Sequence, residues 1–179
     1  MHQPVIISPA LETDLPAIGE VSVCSWQQAY RDLLPADYLA SLSVAQRTLG
    51  WRGLLEGGSM KLLVARADEA EPGSPVCGFA AFGASRDPDH PPQTGEIMAL
   101  YLAPLHWSTG IGRALMAATT RALSAEGHRR VALWVLSGNV RAIRFYRAAG
   151  FLAEPDKVKS FSLGGVTLTE QRFSRDLGA

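Results

Sequence analysis

Hydrophobic positions along this chain fall into short runs whose spacing changes several times. Val5–Ser8 is a brief apolar run and predicts an opening strand. From about Leu15 to Tyr30 the apolar residues predict a helix, with Thr13 or Asp14 as its cap and Pro16 in the first turn. "LPADYLASLS" and "VAQRTLGWRGLLEGG" predict two further short helices, the second stopped by Gly57-Gly58. "MKLLVARA" reads as a strand, "EAEPGSP" as a turn and "VCGFAAFGA" as a strand returning beside it. "SRDPDHPPQ" is a polar, proline-rich loop, and "EIMALYLA" predicts the next strand.

Beyond this point helix and strand alternate. Ile111, Leu115, Ala118 and Ala122 share one helical face, and Gly127 ends that helix. "RVALWVLS" is apolar at successive positions, as expected of a strand covered on both faces. "NVRAIRFYRAAGF" opens on Asn139 as N-cap and closes on Gly150. "VKSFSLGGVTLTEQRFSRDL" predicts a hairpin turning at Gly164-Gly165. The sum is a mixed α/β (α+β) chain with about seven strands in one sheet and helices on its faces.

With 179 residues, no visible repeat and no linker, residues 1–179 read as one domain with room for a real core. Apolar residues make up 47% and charged residues 19%, a balance that fits a soluble globular protein. The formal net charge is zero, which gives no support to a nucleic-acid partner, since such proteins carry a basic excess against phosphate. No secretory signal and no run of the roughly 20 apolar residues needed for a membrane span is evident, so a cytoplasmic location is expected. The two cysteines, Cys24 and Cys77, sit in apolar contexts and read as reduced core thiols rather than a disulfide or nucleophile. The four histidines are scattered without metal-ligand spacing, so no metal is expected.

Candidate chemistry begins at Gly110 and Gly112, where a strand hands over to a helix. A helix N-terminus offers free N–H donors and a partial positive charge, and glycine removes the Cβ that would hold an anion away. A P-loop would need Gly-Lys-Ser/Thr, but Arg113-Ala114 follow Gly112. A dinucleotide fingerprint would need a third glycine where Leu115 stands. Both alternatives fail.

The whole window "EIMALYLAPLHWSTGIGRALM" resembles the acetyl-CoA site of the GNAT superfamily of N-acetyltransferases. That family's turn reads Gln/Arg-x-x-Gly-x-Gly/Ala, and its counterparts here are Trp107, Ser108, Thr109, Gly110, Ile111 and Gly112. Trp107 departs from the usual Gln/Arg, which leaves open a lost side-chain contact or a gained aromatic one. "SGNVRAIRFYRAAGF" is similar to the following motif, with Asn139 and Tyr146 at functional positions and Gly150-Phe151 at the helix end. The early helices and strand-rich C-terminus also look like GNAT features. The resemblance implies a mostly antiparallel sheet of about seven strands and an acetyl-CoA-dependent transfer to a small-molecule, peptide or protein amine. A homodimer enters only as a family-based expectation.

Such a transfer needs a neutral amine, oxyanion stabilisation and protonation of a departing thiolate. Glu96 is the acid at the start of an otherwise apolar strand; burial there would raise its pKa and suit it as general base, directly or through water. The bland alternative is a capping or ion-paired carboxylate at the strand end. By resemblance Tyr146 faces the sulfur as general acid or thiolate stabiliser; otherwise it is a core tyrosine beside Ile143. Asn139 serves as helix cap, pantetheine contact, or both. The resemblance also implies backbone contacts from Leu100, Tyr101 and Leu102, with a strand N–H near Leu100 facing the oxyanion. Arg113 either adds charge near phosphate or is a solvated helix arginine.

On the acceptor side, Trp26, Tyr30 and Tyr38 are candidate pocket walls or ordinary core aromatics, and Asp87 and Asp89 attract a cationic amine or simply face solvent. The competing class is a non-catalytic acyl-CoA-binding or sensor module; an unrelated nucleotide-binding domain lacks supporting motifs.

Overall fold

The computed structural model describes residues 5–67 and 75–178. Strand β1 (Val5–Pro9) leads through a 3-10 turn at Glu12–Asp14 into α1 (Leu15–Ala29), followed by α2 (Ala36–Ala40) and α3 (Val44–Glu56). Strands β2 (Lys61–Ala67), β3 (Val76–Ala84) and β4 (Thr94–Leu102) come next. Then follow α4 (Ile111–Ala125), β5 (Arg130–Leu136), α5 (Val140–Ala148), β6 (Leu152–Leu163) and β7 (Val166–Asp176). The turn expected at 69–75 lies, apart from Pro75, outside the described residues.

All seven strands join one sheet in the order β1-β2-β3-β4-β5-β7-β6. Every neighbouring pair is antiparallel except β4 and β5. Alternation along the strands feeds two core layers. Leu15, Ile18 and Val21 of α1 pack on Val64, Phe79 and Ala81 on one face. Ile111 and Leu115 of α4 meet Ala65, Cys77 and Ala80 on the other, where Met116 and Leu123 continue onto Phe82, Ile97 and Val131. Helix α4 therefore turns Met116, Thr119 and Leu123 fully inward, whereas Ala118 and Ala122 of the expected face are half-buried.

The glycine stops behave as their spacing predicts. Gly127 and Gly150 follow the ends of α4 and α5 with φ of 87° and 85°, and Gly164 and Gly165 turn the β6–β7 hairpin at 58° and 81°. A two-residue turn with both φ positive matches the twist of the strands it joins. Asp14 differs from expectation: its carboxylate makes no cap bond to α1. It accepts instead from the Leu11 N–H (2.9 Å) and Arg66 Nη2 (2.6 Å), because the ion pair across to β2 outcompetes a local cap. Strand β6 starts six residues before Val158, with its register broken between Ala153 and Val158, where Pro155 has no N–H to give.

Candidate active site

The site originates in a fault in strand pairing. Between β3 and β4 the register passes from Ala81↔Ala99 to Phe82↔Ile97, leaving Met98 as an extra residue. Such a bulge bends a strand and increases its twist. On its other edge β4 pairs with β5 only at Thr94, Gly95 and Glu96; from Ile97 onward the two strands part. The gap becomes a cavity of about 490 Å³ that reaches from Ser25 and Trp26 of α1 to Gly110 and Gly112 at the start of α4.

One end of the cavity is made of backbone. Gly110 is the residue preceding α4, with φ of 95°, and no side chain caps the helix. The first turn of α4 also lacks an acidic residue, so its N–H donors and positive dipole end stay available to an anion. Ser108 adopts φ of 63° and accepts a hydrogen bond from Arg141 Nη2 at 3.2 Å. The Trp107 indole N–H donates to the Leu102 carbonyl at 2.9 Å, and the Arg141 guanidinium stacks 4.0 Å from its ring. Trp107 thus ties the end of β4 to the turn. Leu100, Tyr101, Leu102, Trp107, Ser108, Arg113 and Asn139 all line the cavity. Thr109 and Ile111 do not: Thr109 Oγ1 donates to the His106 carbonyl, and Ile111 is buried in the core beside Leu115.

Asn139 caps α5 as its sequence predicts, its side-chain oxygen accepting from the Ala142 N–H at 3.1 Å. Tyr146, seven residues further on, also faces the cavity and packs edge-on against Phe145 and Phe151. Burial pushes its phenol well above the usual tyrosine range, and the neighbouring Tyr101 adds to the shift. Tyr30 and Tyr101 are raised in the same way, chiefly by burial.

Glu96 sits where β4 and β5 part. Its side chain is buried and lines the cavity. Arg86 was not anticipated from sequence. Its backbone N–H and Nε donate to Glu96 Oε2 at 3.0 and 3.2 Å, and its Nη2 to Oε1 at 2.6 Å. A carboxylate oxygen has two acceptor positions, so one remains on Oε1. The carboxylate in turn holds the Arg86 guanidinium above its ordinary pKa.

The loop that carries Arg86 is pinned by β7. Arg172 on β7 has a buried side chain bonded to three carboxylates. Its Nη1 and Nη2 reach Asp89 at 2.8 and 2.9 Å, its Nε and Nη2 reach Glu154 at 3.1 and 2.7 Å, and its Nη1 reaches Asp87 at 3.3 Å. Asp87 also accepts from Trp134 Nε1 at 2.8 Å, and Lys157 pairs with Asp89 at 2.6 Å. Asp87 and Asp89 are therefore committed to neighbouring donors, and Asp89 keeps 41% of its side-chain surface exposed.

Trp26 and Tyr30 line the cavity and also pack, with Tyr38, in a satellite cluster around Leu34 and Leu39; Tyr38 lies against Gly164 and does not line the cavity. A Cβ at Gly164 would run into this side chain. Residues not anticipated complete the wall: Trp134 of β5, Lys159, Phe161 and Leu163 of β6, and Leu168 and Glu170 of β7. The i, i+2 spacing of Lys159, Phe161 and Leu163 was the available signal, since it places all three on one face. Cys24 and Cys77 are free and burial pushes both thiols up, away from nucleophilic character. Among the described residues no helix is long and apolar enough to cross a membrane, and no His, Cys, Asp and Glu group has the makings of a metal site.

The sheet is thus splayed at its parallel pair, with a glycine turn and a bare helix N-terminus at one end of the gap. The model of the acetyltransferase (GNAT) family matches residues 25–151, more than half of the chain. The chain belongs to that family and is an N-acetyltransferase by class. It is 33% identical over 168 residues to a Bacillus subtilis (strain 168) protein described as uncharacterized N-acetyltransferase YuaI, covering 93% of this chain and 90% of that one. PaiA N-acetyltransferase from Thermoplasma acidophilum, solved with coenzyme A, shares the fold with a TM-score of 0.73 at 20% identity, over 97% of this chain and 99% of its own. YncA from Salmonella typhimurium, solved with acetyl-CoA, gives 0.71 at 21% identity over 97% and 94%.

Proposed function

We propose that this chain transfers an acetyl group from acetyl-CoA to a primary amine. The observation that carries the reading is the opening between β4 and β5, with the uncapped start of α4 at one end and Glu96 exposed to the same cavity. Gly110, Gly112 and the first N–H groups of α4 suit the pyrophosphate, with Arg113 and Ser108 beside them. The unpaired edge of β4 at Leu100, Tyr101 and Leu102 suits the amide-bearing pantetheine arm, joined by Asn139. When bound, acetyl-CoA supplies a thioester carbonyl carbon open to attack.

An ammonium acceptor first gives up a proton. Glu96 takes it at the free position on Oε1, through a water, because Arg86 already fills the other sites. The amine nitrogen then forms the new N–C bond as the C–S bond breaks. One further proton leaves nitrogen, one proton returns to sulfur, and one is released overall. Tyr146 serves the departing thiolate by hydrogen bonding rather than by full proton transfer. An ordinary phenol at about 10 and a thiol at about 8.5 already make that transfer uphill by roughly 2 kcal/mol, and burial of Tyr146 widens the gap.

Calorimetry with acetyl-CoA and a thiol-release assay across an amine panel test this reading together. Saturable binding with amine-dependent thiol release is expected. Binding without release from any amine would reduce the chain to an acyl-CoA-binding module.

A further inference from the structure

The acceptor half of the cavity carries two ion pairs. Arg86 meets Glu96 at 2.6 Å, and Lys159 meets Glu170 at 3.5 Å across paired positions of β6 and β7. Within each pair the carboxylate lies deeper. Side-chain exposure is 3% for Glu96 against 67% for Arg86, and 23% for Glu170 against 50% for Lys159. All four residues line the cavity, so its acceptor half has acids inside and cations at the rim. Between them the wall is apolar and aromatic, formed by Trp134, Phe161, Leu163 and Leu168. Lys159 is also held 3.9 Å over the Trp134 ring, while Arg86 spends only its Nε and Nη2 on Glu96.

This layering discriminates among amines. A polycation would meet the outer cations first and would bring more positive charge than two committed carboxylates match. A plain monoamine would leave the outer cations without a use. A molecule that leads with an ammonium and trails a carboxylate complements both layers at once. Building on the acetyltransferase reading, we propose that the acceptor is an amino-acid-type zwitterion with an apolar side chain. Its ammonium lies toward Glu96 and Glu170, and its carboxylate toward Lys159 and the outer edge of Arg86. Its side chain lies against Phe161, Leu163 and Leu168.

The experiment uses the full chain, acetyl-CoA and matched acceptors: L-leucine, L-methionine and L-phenylalanine, each beside its amide and its decarboxylated amine, with spermidine as a polycation. Thiol release gives kcat and KM for each. The free acids should exceed the amides and amines by about tenfold in kcat/KM, the scale of two partly exposed ion pairs, to Lys159 and Arg86. Lys159→Gln should shrink that ratio to within about threefold through the acceptor KM, and Lys159→Arg should restore it. Equal rates on acid and amide, a preference for spermidine, or an unchanged ratio in Lys159→Gln would overturn the zwitterion assignment and leave the acetyltransferase reading intact. An amide preference would point instead to a peptide N-terminus and would also overturn it. No thiol release with any amine overturns both readings.

Discussion

The two halves of the cavity are built on opposite principles. At the glycine turn, residues 100–112 are contiguous, and their useful groups are mostly backbone N–H and C=O set by a bulge, a left-handed Gly110 and a helix start. In the acceptor half the useful groups are side chains brought together from β3–β4, β5, β6 and β7, and held by ion pairs. A contiguous backbone site tolerates side-chain replacement outside its glycines, because any residue supplies the same amide. A side-chain site assembled from distant strands is less tolerant, because replacing one member of an ion pair leaves the other charge without its partner.

This contrast can be broken most sharply at Glu96. Glu96→Gln keeps the shape but removes the proton acceptor, and kcat should fall by about a hundredfold or more, the usual contribution of general-base catalysis. A full kcat in the variant assigns the base elsewhere. Arg172→Met comes next. It removes the buried donor shared by Asp87, Asp89 and Glu154, so the melting temperature should drop by several degrees and acceptor KM should rise more than acetyl-CoA KM.

The same variant has a pH signature. Asp89 is held below its ordinary range by hydrogen bonds from Arg172 and Lys157, and Glu154 is held lower by Ser174 and Arg172 against the opposing effect of burial. A depressed folded-state pKa adds stability above about pH 4 that is lost as pH falls. Thermal melts from neutral to acid pH should therefore lose less in Arg172→Met than in the parent. An equal loss would place the acid-labile contacts elsewhere.

Tyr146→Phe should lower kcat by about tenfold with little change in acetyl-CoA KM, as befits a hydrogen bond made to developing charge. An intact kcat removes the phenol from the reaction. The smallest effect is expected at Trp107→Gln, within about threefold in acetyl-CoA affinity by calorimetry, because the turn acts through backbone and Gln can still donate to the Leu102 carbonyl. A large loss would show that the Arg141 stack orders the turn.

Much of the architecture was legible because it is local. Gly127, Gly150 and Gly164-Gly165 ended or turned elements where expected, since a positive φ is a property of a few adjacent residues. Asn139 followed as a cap from one short helix, while Tyr146, seven residues on, was singled out by the family resemblance. Arg86 was not legible as the partner of Glu96. Their ten-residue separation means nothing until β3 and β4 pair and the loop folds back. Asp87 and Asp89 looked like loop acids until Arg172, more than eighty residues away, came to lie beneath them.

The sequence by itself determined the order of elements and the backbone end of the cavity, because periodicity, capping and glycine chemistry act over a few residues, and two linked motifs carried the resemblance to the family. The tertiary structure decided how deep the site is, which acids are already spoken for and which charges face an incoming amine. Those properties depend on burial and ion pairing between strands distant in the chain, and no local pattern encodes the energy of a contact that forms only when the sheet closes.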